Sequence, residues 1–351
     1  MDELTKCVAN MHLEKKEKQQ KGVFLTTNAE KITKNMNVPP KIQVIEPCVG
    51  DGDLLRLVKD NPIECYDIRD MSEKKHPNFT KMDILKTPPP YANKFVLANP
   101  PYLARNKAHD KKIFDKYNEN DLYKCFLRTL IIDPPLGGII IVPLNMWSNI
   151  RKSDAKLRKD FMSKFNITKF NAFKTHVFDD TSITICCFQF EKTLNPLNRF
   201  TITIDDGKTS DIYLSDNNNW TIGGELYKLK NIGFARATTK NEHKLNTRLN
   251  ICCIDNKKLI HMTYAELDEP LYIDKTKKLS SRSFATLISP EPLSVAQQKK
   301  LCIEWNTYLN GQRDLYQSLF LPNYRDKNRK RIPFDLIYKI ASHVLLKICK
   351  T

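Results

Sequence analysis

Val44-Ile45-Glu46-Pro47-Cys48-Val49-Gly50-Asp51-Gly52-Asp53-Leu54-Leu55 reads as a short apolar strand, a glycine-rich turn and the start of a helix. The glycines let the backbone pass close to a ligand, as they do in dinucleotide-binding folds. Two features separate this turn from a pyrophosphate site. The spacing is only Gly-x-Gly, and Glu46 places a negative charge where a pyrophosphate would be repelled.

A carboxylate at that position suits a ligand with a positive ammonium group, such as the methionine end of S-adenosylmethionine (SAM). Asp67 closes the next apolar strand 21 residues later, about the distance at which such folds place an acid on ribose hydroxyls. Asp83, in Lys81-Met82-Asp83-Ile84-Leu85, follows a third segment and could accept from an adenine amino group. Taken singly, each Asp also reads as a solvated loop carboxylate or a helix cap. The acids and glycines fall in order, however, ahead of Phe95-Val96-Leu97-Ala98 and Asn99-Pro100-Pro101-Tyr102. There an apolar strand is closed by an amide and two prolines. Proline has no N–H, so the turn can continue neither a ladder nor a helix. An amide, open carbonyls and an aromatic ring suit the grip of an exocyclic amine on a planar base.

The rest of residues 22–190 alternates short apolar runs with longer amphipathic ones, the pattern of an open α/β sheet. Strands are expected at 43–45, 64–67, 95–98, 138–142, 167–173 and 183–191, and helices at 121–132 and 154–164, with Asp154 as a cap. Residues 1–21 form a charged leader. Leu194-Asn195-Pro196-Leu197-Asn198 resembles a hinge, which divides the chain into domains at 22–195 and 200–351. Helical spacing returns at 295–320 and 334–350.

With 351 residues the chain is long enough for two cores. Lys and Arg number 57 against 40 Asp and Glu, a formal charge of +17. Residues 1–200 hold 33 basic and 24 acidic side chains, and 201–351 hold 24 and 16, so both halves are basic. That balance points to a long polyanionic partner. No apolar run is long enough to span a bilayer, so no membrane partner is expected. The ten cysteines show no metal-type spacing, and Cys186-Cys187 and Cys252-Cys253 lie in apolar runs. A reducing compartment, cytoplasmic or nuclear, is expected, with no zinc site or other metal.

In sum of motifs the chain resembles a gamma-class (TaqI-like) SAM-dependent DNA adenine-N6 methyltransferase of type II restriction-modification systems. The resemblance runs over residues 22–191, through Gly22-Val23-Phe24-Leu25-Thr26, the segments quoted above, Asp121 to Leu127, Gly137 to Pro143 and His176 to Thr184. After Thr26 the family has Pro, where this chain has Thr27. The stretch from Leu321 to Phe334 is similar to enzymes of large algal DNA viruses, which implies a virus-infected host. The resemblance implies an α/β fold: a Rossmann-like methyltransferase sheet followed by a C-terminal mixed α+β target-recognition domain. It implies that Thr26, Glu46, Cys48, Gly50, Gly52, Asp67, Ile68, Asp83, Ile84, Asn99 and Phe126 hold the cofactor.

The expected chemistry places Asn99 Oδ1 and the Pro100 carbonyl on the adenine amine, favouring a tetrahedral nitrogen by fixed dipoles. The base must leave the duplex, and stacking on Tyr102 and Phe178 would recover about 1–3 kcal/mol per base. Arg325, Arg329, Lys330 and Arg331 are expected on phosphates of double-stranded DNA, with Arg236 and Arg282 as candidate guanine readers. A monomer and a cognate restriction endonuclease, as a functional companion, complete the expectation. RNA adenine, cytosine N4 or a protein amide would fit similar chemistry, and a non-catalytic binding partner with a decayed fold is the reading from another class.

Overall fold

The computed structural model describes residues 26, 28–174, 177, 183–273, 283–321 and 329–349, in two compact units. The first comprises the chain up to Met146 and Arg151–Tyr213, and the second Trp147–Ile150 and the chain from Leu214.

The first unit is built on a nine-stranded sheet. Its strands are β1 (Val44–Glu46), β2 (Ile63–Asp67), β3 (Phe79–Lys81), β4 (Phe95–Ala98), β5 (Gly137–Pro143), β6 (Phe165–Ala172), β7 (Ile185–Lys192), β8 (Arg199–Ile204) and β9 (Thr209–Tyr213). Their order is β3-β2-β1-β4-β5-β7-β6-β8-β9. The first five are parallel, and β7 runs antiparallel to both β5 and β6. Continuous apolar text explains the middle: β1, β4 and β5 are buried at every position, as parallel strands covered on both faces must be. The edge reads differently. β3 is Phe-Thr-Lys, half-buried then exposed, and gives no apolar signal.

Four expectations are corrected. The glycine turn feeds a five-residue 3₁₀ turn, Asp53–Leu57, in place of a helix. Only ten residues separate Gly52 from Ile63, and Asp60-Asn61-Pro62 occupies three of them. The helix expected from Asp154 spans Lys152–Met162, with Arg151 at its N-cap. Asp154 is instead buried in the first turn, paired with Lys124 of helix Leu122–Ile132. The text read as a hinge at 194–198 does not end the unit, because β8 pairs in parallel with β6 and β9 extends the sheet. A short helix, Lys112–Tyr117, lies where none was expected.

The second unit has a four-stranded antiparallel sheet of β10 (Ala235–Arg236), β11 (Leu249–Cys252), β12 (His261–Tyr264) and β13 (Phe284–Ile288), in the order β10-β13-β11-β12. Helix Val295–Leu315 opens with a capping box, in which Ser294 Oγ accepts from Gln297 N–H at 3.2 Å and Gln297 Oε1 accepts from Ser294 N–H at 2.8 Å. Its Leu301, Trp305 and Leu309 meet Ile337 and Ile340 of helix Phe334–Ile348 in one apolar core with Leu249, Ile251 and Leu287. The paired cysteines are buried and unbridged, on β7 and at the end of β11. Among the described residues no helix is long and apolar enough to cross a membrane.

β5 can sit beside β4 and β7 only because it begins with glycines. A Cβ on Gly138 would stand 2.6 Å from the Val96 carbonyl and 2.9 Å from the Phe190 ring. Gly138→Ala should therefore destabilise the protein by about 2–3 kcal/mol, seen as a lower Tm.

Candidate active site

Strand order reverses between β1 and β4, so the loops leaving their carboxyl ends diverge and open a crevice. A cavity of about 340 Å³ lies there. After β1 the chain turns through Gly50 (φ 53°) and Gly52 (φ 85°), both left-handed, where glycine carries no steric penalty. His76 packs against this turn, its Nε2 2.9 Å from the Gly50 carbonyl and its ring where a Cβ on Gly52 would be.

The cavity wall brings together eight of the residues expected to hold a cofactor: Thr26, Cys48, Gly50, Asp67, Ile68, Asp83, Ile84 and Asn99. Their environments differ. Asp67 Oδ2 accepts from Gly50 N–H at 3.0 Å, which ties β2 to the glycine turn, and Arg69 pairs with the same carboxylate. Asp83 Oδ1 accepts from Leu85 and Lys86 N–H at 3.1 and 3.2 Å, so it also stabilises its own turn. Burial and the nearby Asp67 and Glu46 push the Cys48 thiol well above its usual range.

Glu46 itself is buried behind that wall, 1% exposed, and its Oε2 has no hydrogen-bond partner. Burial first, then Asp53 and Asp67, hold its carboxyl pKa well above the ordinary value.

Asn99 and Tyr102 form a clamp. Asn99 Nδ2 donates to Thr26 Oγ1 at 3.0 Å, while the Tyr102 hydroxyl lies 2.6 Å from Asn99 Oδ1 and 2.9 Å from the Ile141 carbonyl. These contacts hold the amide side chain in place. Tyr102 was expected to offer a stacking face; its ring is instead 5% exposed and edge-on to Tyr123 at 6.1 Å. The loop after it is zipped to the start of helix Leu122–Ile132. Leu122 N–H donates to the Leu103 carbonyl at 3.2 Å, Arg105 N–H to the Asn120 carbonyl at 2.9 Å, and Ala104 bridges Asp121. Burial raises the Asp121 carboxyl to about 6.

Phe126 is fully buried against Tyr91 and is not in the cavity wall. Leu122, one turn nearer the helix start on the same face, lines it, with Ile113 and Phe114 of the unexpected helix Lys112–Tyr117. The only sequence signal for that helix is the apolar set Ile113, Phe114 and Tyr117 in basic text. Pro100 and Gly52 also lie outside the wall.

Arg329, Lys330 and Arg331 belong to the second unit, where Asp255 N–H donates to the Lys330 carbonyl at 2.9 Å and Arg331 bridges Ile254. The Arg236 guanidinium lies 5.0 Å over the Phe334 ring. Residues 1–25, Thr27, His176, Phe178, Arg282 and Arg325 lie outside the described residues.

No protein-family model matches the chain, and no curated protein matches it. Several solved structures share part of the fold. A modification subunit assigned to a type I restriction enzyme of Vibrio vulnificus aligns at 13% identity and TM-score 0.43, over 56% of this chain and 50% of that one. A type I restriction-modification methyltransferase subunit from Streptococcus thermophilus aligns at 16% and 0.39, over 55% and 51%. A 23S rRNA methyltransferase aligns at 15% and 0.34, over 50% and 71%. The chain spans about half the length of the first two. With TM-scores below 0.5 these are partial likenesses, and the assignment of function stands on the chain's own residues.

The burial of Glu46 has a measurable cost. An acid whose folded pKa is raised destabilises the fold once pH exceeds its unfolded value, and the penalty saturates above the folded pKa. In the ligand-free protein, Glu46→Gln should raise Tm at neutral pH, and the gain should vanish as pH falls towards 4.5.

Proposed function

We propose that this chain transfers a methyl group from S-adenosylmethionine to N6 of adenine in a short specific sequence of double-stranded DNA, as a gamma-class modification enzyme. The observation that carries the reading is the placement of the clamped Asn99 amide in the wall of the cavity that also gathers Asp67 and Asp83, with unpartnered Glu46 behind it. This donor set fits the cofactor: Glu46 for the ammonium, Asp67 for the ribose diol, Asp83 for the adenine amine, and Ile68 and Ile84 for the ring faces. Thr26, hydrogen-bonded to Asn99, would meet the carboxylate end. When bound, the cofactor supplies an electrophilic methyl group.

The protein's own contribution is orientation and fixed polarity. Asn99 Oδ1 and the Pro100 carbonyl accept from the two hydrogens of the target amine, drawing its lone pair out of the ring towards the methyl. Tyr102 and Thr26 hold the amide side chain in place from two sides. No strong base is needed, since the methylated amine loses its proton readily to water. A base inside a duplex is out of reach, so the target must be extruded at a cost of a few kcal/mol. The second unit, from Leu214 onward, is proposed as the target-recognition domain, with Arg329, Lys330 and Arg331 on phosphates. A restriction endonuclease of the same site is the functional companion proposed.

Transfer of labelled methyl from SAM to duplex DNA, with nucleoside analysis of the product, tests this. Wild type should yield N6-methyladenine, and Asn99→Ala should lower the rate about 10²–10³-fold while SAM still binds. Methylcytosine, or label found only in RNA, would move the acceptor. No SAM binding would end the enzyme reading.

A further inference from the structure

Asp67 stands where the proposed ribose diol would bind, yet its acceptor capacity is already used. An ionised carboxylate has about four acceptor positions. Asp67 Oδ1 takes the Arg69 backbone N–H at 2.9 Å and Arg69 Nε at 3.0 Å. Its Oδ2 takes the Gly50 N–H at 3.0 Å and Arg69 Nη2 at 3.1 Å. Two of these donors are backbone groups of the turns that shape the cavity, and they stay while the turns stay. The other two belong to one side chain, which is 22% exposed and lines the same cavity.

A vicinal diol on one carboxylate needs two acceptor positions, and the only pair a side-chain movement can release is the pair held by the Arg69 guanidinium. A guanidinium so released has an acidic neighbour, since the Asp51 carboxylate already acts on it and lines the same wall. Asp51 is now held by Lys74 at 3.1 Å, in a half-exposed ion pair that exchanges at little cost.

The geometry points to Arg69 as an internal competitor for the ribose site: its guanidinium occupies two acceptor positions of Asp67, and a ligand with a free 2′,3′-diol must displace it. Arg69 is thus a positioning residue that sets cofactor affinity, and the inference rests on the SAM reading given above. The opposite role, in which Arg69 merely orients Asp67 for the ligand, predicts the opposite sign on mutation.

Calorimetric titration of SAM and S-adenosylhomocysteine into wild type, Arg69→Gln and Asp67→Asn separates the two, with thermal unfolding to confirm that each variant folds. Adenosine and 2′,3′-dideoxyadenosine serve as competing probes. Arg69→Gln should bind SAM, S-adenosylhomocysteine and adenosine about three- to tenfold tighter, the cost of parting a partly exposed bidentate pair, with no gain for the dideoxynucleoside. Asp67→Asn should bind the diol ligands more weakly than wild type. Equal or weaker binding by Arg69→Gln, an equal gain for the dideoxynucleoside, or unchanged binding by Asp67→Asn overturns the inference while leaving the SAM site standing. Binding by Arg69→Gln alone shows the competition at its strongest. Binding by neither protein overturns both this inference and the methyltransferase reading.

Discussion

A parallel strand buried on both faces must surrender its hydrogen-bond ladder at its carboxyl end, and everything at this site follows from how β4 does so. Ala98 is the last buried ladder residue, and Pro100 and Pro101 then remove two consecutive N–H donors. Without those donors the ladder cannot continue, and the turn stays open beside the crevice. Open turns are soft unless side chains hold them. Here Asn99 reaches Thr26, Tyr102 reaches Asn99 and Ile141, and residues 103–105 are zipped to Asn120–Leu122. The amide is therefore held by the protein's own side chains, as the proposed catalysis by fixed dipoles requires.

The same arrangement explains why the chain tolerates a carboxylate at a position that costs it stability. Glu46 has an oxygen with no partner, while Asp67 and Asp83 have every advantage of backbone and cationic neighbours. In a fold optimised for stability alone, that position would be apolar or its carboxyl fully hydrogen-bonded. Buried polar groups left incomplete are expected where a ligand completes them.

The central sheet was legible because most of its strands are short runs rich in apolar residues: β1, β2, β4, β5, β6 and β7 lie within two residues of the expected bounds. Three things escaped. β3 is three residues long at an edge, with Thr and Lys facing water, so no apolar period marks it. Asp154 looks like a cap by residue type, but the tertiary partner Lys124 decides its place, and that partner is 30 residues away in sequence. Phe126 and Leu122 share a helix face, and the choice of which reaches the cavity depends on a displacement of about 6 Å along the axis, which pattern alone does not encode. Cavity-wall residues tied to strand ends were readable from spacing. Those contributed by the segment between β4 and the next helix, Ile113 and Phe114, were not.

The short path between β1 and β2 has a consequence for ligand class. In dinucleotide folds the glycine turn delivers the amino end of a long helix, whose aligned N–H groups attract a pyrophosphate. Here ten residues, three of them Asp60-Asn61-Pro62, leave room for only the 3₁₀ turn Asp53–Leu57. That turn is too short to sum into a useful dipole, and Asp51, Asp53 and Asp67 line the cavity beside it, two of them paired with Lys74 and Arg69. The missing helix end removes the usual anchor of a pyrophosphate, which accords with the proposed cofactor. Chain length thus argues against a pyrophosphate site independently of any motif.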